Sequence, residues 1–197
     1  MPAKKKPAAK KKPAPKAKRA PAKKAAPPAT KPAAKKLPPP SKGGPAEGQP
    51  APAFALPGDD GRTHALAEHA GQPVVVYFYP RDDTPGCTTE ACDFRDNMAR
   101  ATAKGAVVYG ISKDSLKSHD KFKQKYHLNF TLLSDESLDT HRAYGAWGEK
   151  IMYGKPVVGV IRSTYLVGRD GKIARAWPRV KVAGNVDAVL DALTALG

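Results

Sequence analysis

The run PVVVYFY at residues 73–79, a helical stripe after it, and a second run AVVYGIS at 106–112 together restrict the fold more than any other feature. The first run is short, unbroken and rich in β-branched and aromatic side chains, which marks a strand buried on both faces. Beyond a turn, Cys87, Ala91, Phe94, Met98 and Ala101 recur at spacings of four, three, four and three, one face of a helix. That stripe stops at Lys104 and Gly105, a basic last turn followed by a C-terminal glycine. Strand, helix and strand in this order predict a β-α-β unit with parallel strands.

The pattern repeats more weakly downstream. Asp114 or Ser115 is expected to cap a helix carrying Leu116, Phe122 and Tyr126, and FTLLS (130–134) to form a third strand. IRSTYLV (161–167) and KIARAW (172–177), joined through Arg169, Asp170 and Gly171, predict a hairpin. VDAVLDALTAL (186–196) reads as a closing amphipathic helix, and AFALPGDDGRTHAL (53–66) as a small opening hairpin. The sum is a mixed α/β sheet with helices on both faces.

Charge divides the chain into two unlike parts. Residues 1–50 hold fourteen lysines, one arginine and a single acid, Glu47, whereas the rest of the chain holds 19 basic and 17 acidic residues. The basic part also has 13 of the 20 prolines and no Phe, Trp or Tyr, so it cannot bury enough apolar surface to offset the entropy of ordering. Residues 1–45 are therefore expected to be a disordered Lys/Ala/Pro-rich tail, with polyproline II in KPAAKKKPAPK and KLPPP, and 46–197 to be one folded domain. No apolar run approaches the roughly 18 residues of a membrane span, and residues 1–40 lack the apolar centre of a secretory signal. Transit segments are also basic and poor in acids, but this one has Lys in place of Arg and only Thr30 and Ser41 as hydroxyl residues. Two cysteines are too few for a secreted disulfide framework, so the expected location is cytoplasmic.

Both cysteines fall in TPGCTTEAC, residues 84–92. Pro85 suits a first helical position and Thr84 the N-cap before it, which places Cys87 in the first turn. There the free N–H groups and the helix dipole favour thiolate, the nucleophilic form, over thiol. The competing reading is a small buried hydrophobe, because Cys87 also lies on the apolar stripe. Cys92 adds a constraint. Residues i and i+5 of an ideal helix have Cα atoms roughly 8.7 Å apart, whereas a disulfide needs about 4.4 to 6.8 Å. A bond between these two requires the first turns to unwind. Two thiols with no nearby histidine do not make a zinc site, and the spacing is not C-x-x-C.

FYPRDDTPGCTTEACDFRD, with GQPVVVY before it and VIRSTYLVGRDGKI after it, closely resembles the peroxiredoxins, and among them the peroxiredoxin Q or bacterioferritin comigratory protein group. The similarity covers about residues 46–197 and rests on the P-x-x-x-T-x-x-C pattern of Pro80, Thr84 and Cys87 with an arginine far downstream. It implies a thioredoxin-like fold, reduction of hydrogen peroxide and organic hydroperoxides, and no metal or organic cofactor. By the same resemblance Cys87 is the peroxidatic cysteine and Cys92 the resolving one. Thr84 orients the peroxide, Pro80 shields the pocket from water, and Arg162 is the active-site arginine. Thioredoxin or a similar dithiol reductant is the implied electron donor. Glu90 is open to two readings, a partner of that arginine or a complement to the helix N-terminus. None of the five histidines is assigned chemistry, and His64 and His69 are expected at the surface.

The tail lies outside this pattern. It is weakly similar to the Lys-, Ala- and Pro-rich tails of linker histones, and three uses are open: a solvated solubility segment, nonspecific attachment to DNA or RNA with a nucleoid-associated location, or an anionic membrane surface. Three function classes thus stand side by side: a thiol peroxidase, a general thiol-disulfide oxidoreductase, and a nucleic-acid-binding protein. The Cys87 motif with Thr84 favours the first, because an exchange protein has no use for a peroxide-orienting hydroxyl.

Overall fold

The structure, a computed structural model, describes residues 39–41, 43–152 and 154–197, and the expectations for the tail at residues 1–38 lie outside them. The β-α-β unit is its centre: β3 (Val74–Phe78), α1 (Pro85–Ala103) and β4 (Val107–Ser112), with β3 and β4 parallel. Preceding it is a two-stranded hairpin of β1 (Ala55–Pro57) and β2 (Thr63–Ala65). Following it are α2 (Leu116–Tyr126) and β5 (Thr131–Ser134), the latter parallel to β4. Then come α3 (Asp139–Ala143), the hairpin β6 (Trp147–Met152) and β7 (Lys155–Val160), the antiparallel pair β8 (Ser163–Val167) and β9 (Ile173–Trp177), and α4 (Asn185–Ala195). The main sheet has the order β5-β4-β3-β8-β9.

β3 is buried at every residue because its two faces meet different partners. Val75, Tyr77 and Tyr79 join Phe94 of α1, Phe122 of α2 and Val189 of α4 in one core. Val74, Val76 and Phe78 join Phe54 and Leu56 of the opening hairpin region and Tyr144 beyond α3 in the other. An apolar run without alternation follows from a strand packed on both sides. Helices thus lie on both faces, although on the second face the small hairpin shares the cover with α3.

Three features differ from or add to the sequence reading. His64 is buried, with Nε2 2.9 Å from Asp60 Oδ2 and Nδ1 3.1 Å from the Tyr109 hydroxyl. His69 is half-buried and reaches the same hydroxyl at 2.7 Å, so Tyr109 draws both rings off the expected surface. α3 and the β6–β7 hairpin have no counterpart in the sequence expectations. Finally, contacts with the body extend upstream of residue 46. The Ser41 N–H donates to the Trp147 carbonyl at 2.8 Å, and a Cβ at Gly44 would stand 2.4 Å from the Tyr144 carbonyl oxygen. Gly145 faces this segment with φ +68, and a side chain there would collide with the Gly44 backbone nitrogen at 2.3 Å. Only glycine on both sides permits so close an approach.

Candidate active site

α1 starts as its sequence dictates. Pro85 is the first helical residue and Thr84 the N-cap, with extended backbone at φ −98 and ψ 150. The Thr84 hydroxyl, however, donates backward to the Arg81 carbonyl at 3.1 Å instead of accepting from the helix. The loop before it turns sharply at Asp83, whose φ of 54 is unusual outside glycine. Asp83 is held there by Lys125 Nζ at 2.8 Å and the Tyr126 hydroxyl at 2.5 Å, both on α2. One residue earlier, buried Asp82 accepts from the Tyr79 hydroxyl at 2.8 Å and stands 2.9 Å from Nδ1 of the fully buried His119. The strand end, α2 and this loop thereby fix where α1 begins. Pro80 lies half-buried just past the end of β3.

Cys87 is 2% exposed and belongs to the core cluster under α1, yet it is not merely a packed hydrophobe. Arg162 Nη2 stands 3.1 Å from its sulfur. Register explains how residues so far apart in sequence meet. β8 runs antiparallel to β3 with Phe78 opposite Ser163 and Tyr77 opposite Thr164, so Arg162, just ahead of β8, comes level with the end of β3 where α1 starts. The other terminal nitrogen, Nη1, bonds Glu90 Oε2 in a salt bridge. Glu90 is fully buried one helical turn beyond Cys87, and its Oε1 accepts from Asn185 Nδ2 at 3.1 Å. The same amide reaches Thr164 Oγ1 at 3.1 Å.

The site is electrostatically asymmetric. Burial pushes the Glu90 carboxyl up to about 7, against the pull of Arg162 and Asn185. Burial alone would lower Arg162, but Glu90 and Cys87 outweigh it and hold the guanidinium above its ordinary value. A fixed cation therefore stays beside the sulfur. Lys150 on β6, lowered by burial and by Arg162, feels the same field.

Of the residues singled out from sequence, the structure brings Cys87 and Arg162 into contact and sets Thr84 and Pro80 on the loop leading to Cys87. Cys92 is half-buried farther along α1, and both thiols are free. Because α1 is unbroken from Pro85 to Ala103, the two cysteines lie in one regular helix. Of the two readings of Glu90, it takes the arginine partner. Asn185, Thr164 and Lys150 were not visible as site residues in the sequence. A Gly-Asn pair ahead of an amphipathic helix reads only as a helix start, and nothing local in a strand sequence marks the neighbours it will have.

A buried thiol at a helix N-terminus with a guanidinium on its sulfur, set on a thioredoxin-like sheet, defines a class of thiol-dependent redox proteins. The AhpC/TSA family pattern matches residues 47–176, and the chain belongs to that family. It is 49% identical over 146 residues to a putative peroxiredoxin bcp of Coxiella burnetii, covering 74% of this chain and 97% of that protein. It is 44% identical to peroxiredoxin Bcp of Bacillus subtilis, over 74% and 93% of the two. Among solved structures, the bacterioferritin comigratory protein of Xanthomonas campestris matches with a TM-score of 0.69 and 46% identity, over 72% of this chain and 90% of that one. These likenesses place it in the Bcp, or peroxiredoxin Q, group of peroxiredoxins.

Proposed function

We propose that this protein is a thiol peroxidase in which Cys87 attacks hydrogen peroxide or an organic hydroperoxide. The observation that carries this reading is the Arg162 guanidinium 3.1 Å from the Cys87 sulfur. It is supported by the Xanthomonas campestris relative, which is described by its alkyl peroxide reduction activity. The thiolate attacks one peroxide oxygen, the O–O bond breaks, and the departing oxygen takes a proton to leave as water or an alcohol. Cys87 becomes a sulfenic acid. Negative charge grows on the leaving oxygen, where a preorganised cation and the N–H groups of a helix start lower the barrier. Thr84 orients the peroxide and Pro80 limits water.

The sulfenic acid then condenses with the Cys92 thiol, forming a disulfide and releasing water. In the regular helix their Cα atoms stand roughly 8.7 Å apart, so the first turns of α1 unwind for this step. A dithiol reductant of the thioredoxin type attacks the disulfide, takes it over and restores both thiols. General thiol-disulfide exchange is the weaker alternative: a cation beside the thiolate would serve it too, but it has no use for a peroxide-orienting hydroxyl at Thr84.

Peroxide consumption with thioredoxin, thioredoxin reductase and NADPH tests the cycle. Cys87→Ser should abolish turnover, and Cys92→Ser should permit one reaction with peroxide but no thioredoxin-linked cycling. Normal turnover by Cys87→Ser would sink the proposal. In the oxidised protein, amide protection across residues 86–94 should fall relative to the reduced form. Equal protection in both states, with the bond confirmed by mass spectrometry, would remove the unwinding step.

The charge of residues 1–50, fifteen basic side chains against one acid, favours a second property: sequence-independent attachment to a polyanion such as DNA. Binding of duplex DNA should be micromolar at low salt and collapse toward physiological ionic strength, as expected for about 0.9 decade of affinity per phosphate contact for each tenfold rise in salt. Removal of residues 1–38 should abolish it and leave the peroxidase rate intact. Equal binding by the truncated protein would refute the attachment.

A further inference from the structure

We propose that Asn185 is a positioning residue of this site, whose side-chain amide holds Glu90 in the orientation that presents Arg162 to the Cys87 sulfur. The inference rests on the peroxidase reading above. Asn185 is the first residue of α4, one position past the N-cap Gly184. It turns inward and is 4% exposed. Its Nδ2 spans two elements, donating to Glu90 Oε1 on α1 and to Thr164 Oγ1 on β8, each at 3.1 Å.

The geometry makes the amide a necessary part of a chain that ends on the reacting atom. Glu90 has two oxygens, one for Arg162 and one for Asn185. With both bonds in place the carboxylate plane is fixed, and so is the guanidinium, which keeps Nη2 for the sulfur. With Asn185 gone, Oε1 would be buried without a donor, a costly state for a carboxylate. The carboxyl would relieve it by taking a proton or by rotating, and either change frees Arg162 to leave the sulfur. The charged and titratable groups around Glu90 are Arg162 ahead of β8, Cys87 and Asp93 on α1, and Tyr77 on β3; α4 and β8 contribute the neutral Asn185 and Thr164. Among these, Asn185 is the neutral group that bonds the carboxylate directly. Burial already holds Glu90 near 7, so loss of one donor is felt at physiological pH. The bond also ties α4 to the turns of α1 that unwind when the disulfide forms, and Asn185 must release Glu90 at that step.

The test uses the full-length reduced protein and a single oxidation of Cys87 by hydrogen peroxide, quenched and read by thiol trapping across pH 5–9. Asn185→Ala should slow the reaction by about tenfold, the order expected for loss of one hydrogen bond to a charged group. The limb of the pH profile near neutrality should also move upward, because removing a donor to the carboxylate favours its neutral form. A merely structural role would change melting but leave that limb in place. In a Glu90→Gln background, Asn185→Ala should change the rate less than about twofold. A full tenfold loss there would overturn the proposal, as would a wild-type rate and profile for Asn185→Ala alone. If Asn185→Ala does not fold, Thr164→Val decides. It leaves the amide without its second anchor, and a smaller shift in the same direction supports the role, whereas a wild-type profile overturns it. Turnover by Cys87→Ser would instead sink the peroxidase reading itself.

Discussion

Two buried carboxyl groups flank the start of α1, and they are used differently. Asp82, before the helix, accepts from the Tyr79 hydroxyl and meets His119 Nδ1, while its own backbone N–H donates to Asp114 Oδ2 at 2.8 Å. Every bond of that assembly ends on another part of the framework, including His119 Nε2, which stands 3.3 Å from the Leu133 carbonyl oxygen. Glu90, inside the helix, is as deeply buried, but its partner Arg162 reaches past it to a thiol. Burial of a charge-bearing group is a framework device where its circle of partners closes. It is open to chemical use where one partner is left pointing at a thiol.

Removing the cation should separate the two assemblies most sharply. Arg162→Ala is expected to slow the reaction of Cys87 with peroxide by about 100- to 1000-fold, the scale for losing a donor that stabilises developing charge. The domain should still melt cooperatively. An unchanged rate constant in stopped-flow measurement would mean that Arg162 is as closed a part of the framework as His119.

The converse substitution should act on stability. His119→Ala removes a fully buried ring and a partner of Asp82, and a cost of about 3 kcal/mol is expected in urea unfolding. The peroxide rate of the folded fraction should change far less than in Arg162→Ala. A rate loss as large as that of Arg162→Ala, with little change in stability, would erase the distinction.

The smallest effect is a pH dependence confined to one assembly. Glu90 is raised from an ordinary 4.5 to about 7 in the helical form, so the helical form holds a proton that the unwound form gives up. That stabilisation is fully present below about 4.5 and is lost as pH rises through about 7. Amide exchange in residues 86–94, corrected for its intrinsic pH dependence, should therefore accelerate by roughly threefold to tenfold between pH 6 and 8. Glu90→Gln should flatten the trend. Exchange that shows no such slope in the wild-type protein would mean that Arg162 cancels the burial of Glu90.

The elements that sequence made legible are those whose own residues carry the signal. β3, α1 and β4 announce themselves through apolar runs and a 3.6-residue stripe, and α1 began where Thr84 and Pro85 indicated. α3 is five residues long and starts from Leu138 at φ 64, too short a stretch to display a period. In β6 and β7, Gly148, Pro156 and Gly159 break the strand pattern, and among the described residues the two strands pair only with each other, so their existence depends on register and not on propensity. The Thr84 hydroxyl shows the same limit at one residue: the cap position was readable, but its bond to Arg81 was set by the loop.

Sequence by itself determined the setting of Cys87, because a helix start is local: Pro85, the free N–H groups and the position of Cys87 within the first turn need no distant partner. The five-residue interval between the thiols was equally local, and with it the separation that the proposed disulfide would have to close. Tertiary structure alone decided what surrounds that sulfur. Arg162 and Glu90 are 72 positions apart, and Asn185 and Glu90 are 95 apart. No periodicity links such residues; they meet because β8 pairs antiparallel with β3 and α4 packs on α1. A charge 3.1 Å from a thiol is a property of sheet register, and register is fixed by which side chains the buried faces of the sheet must hold.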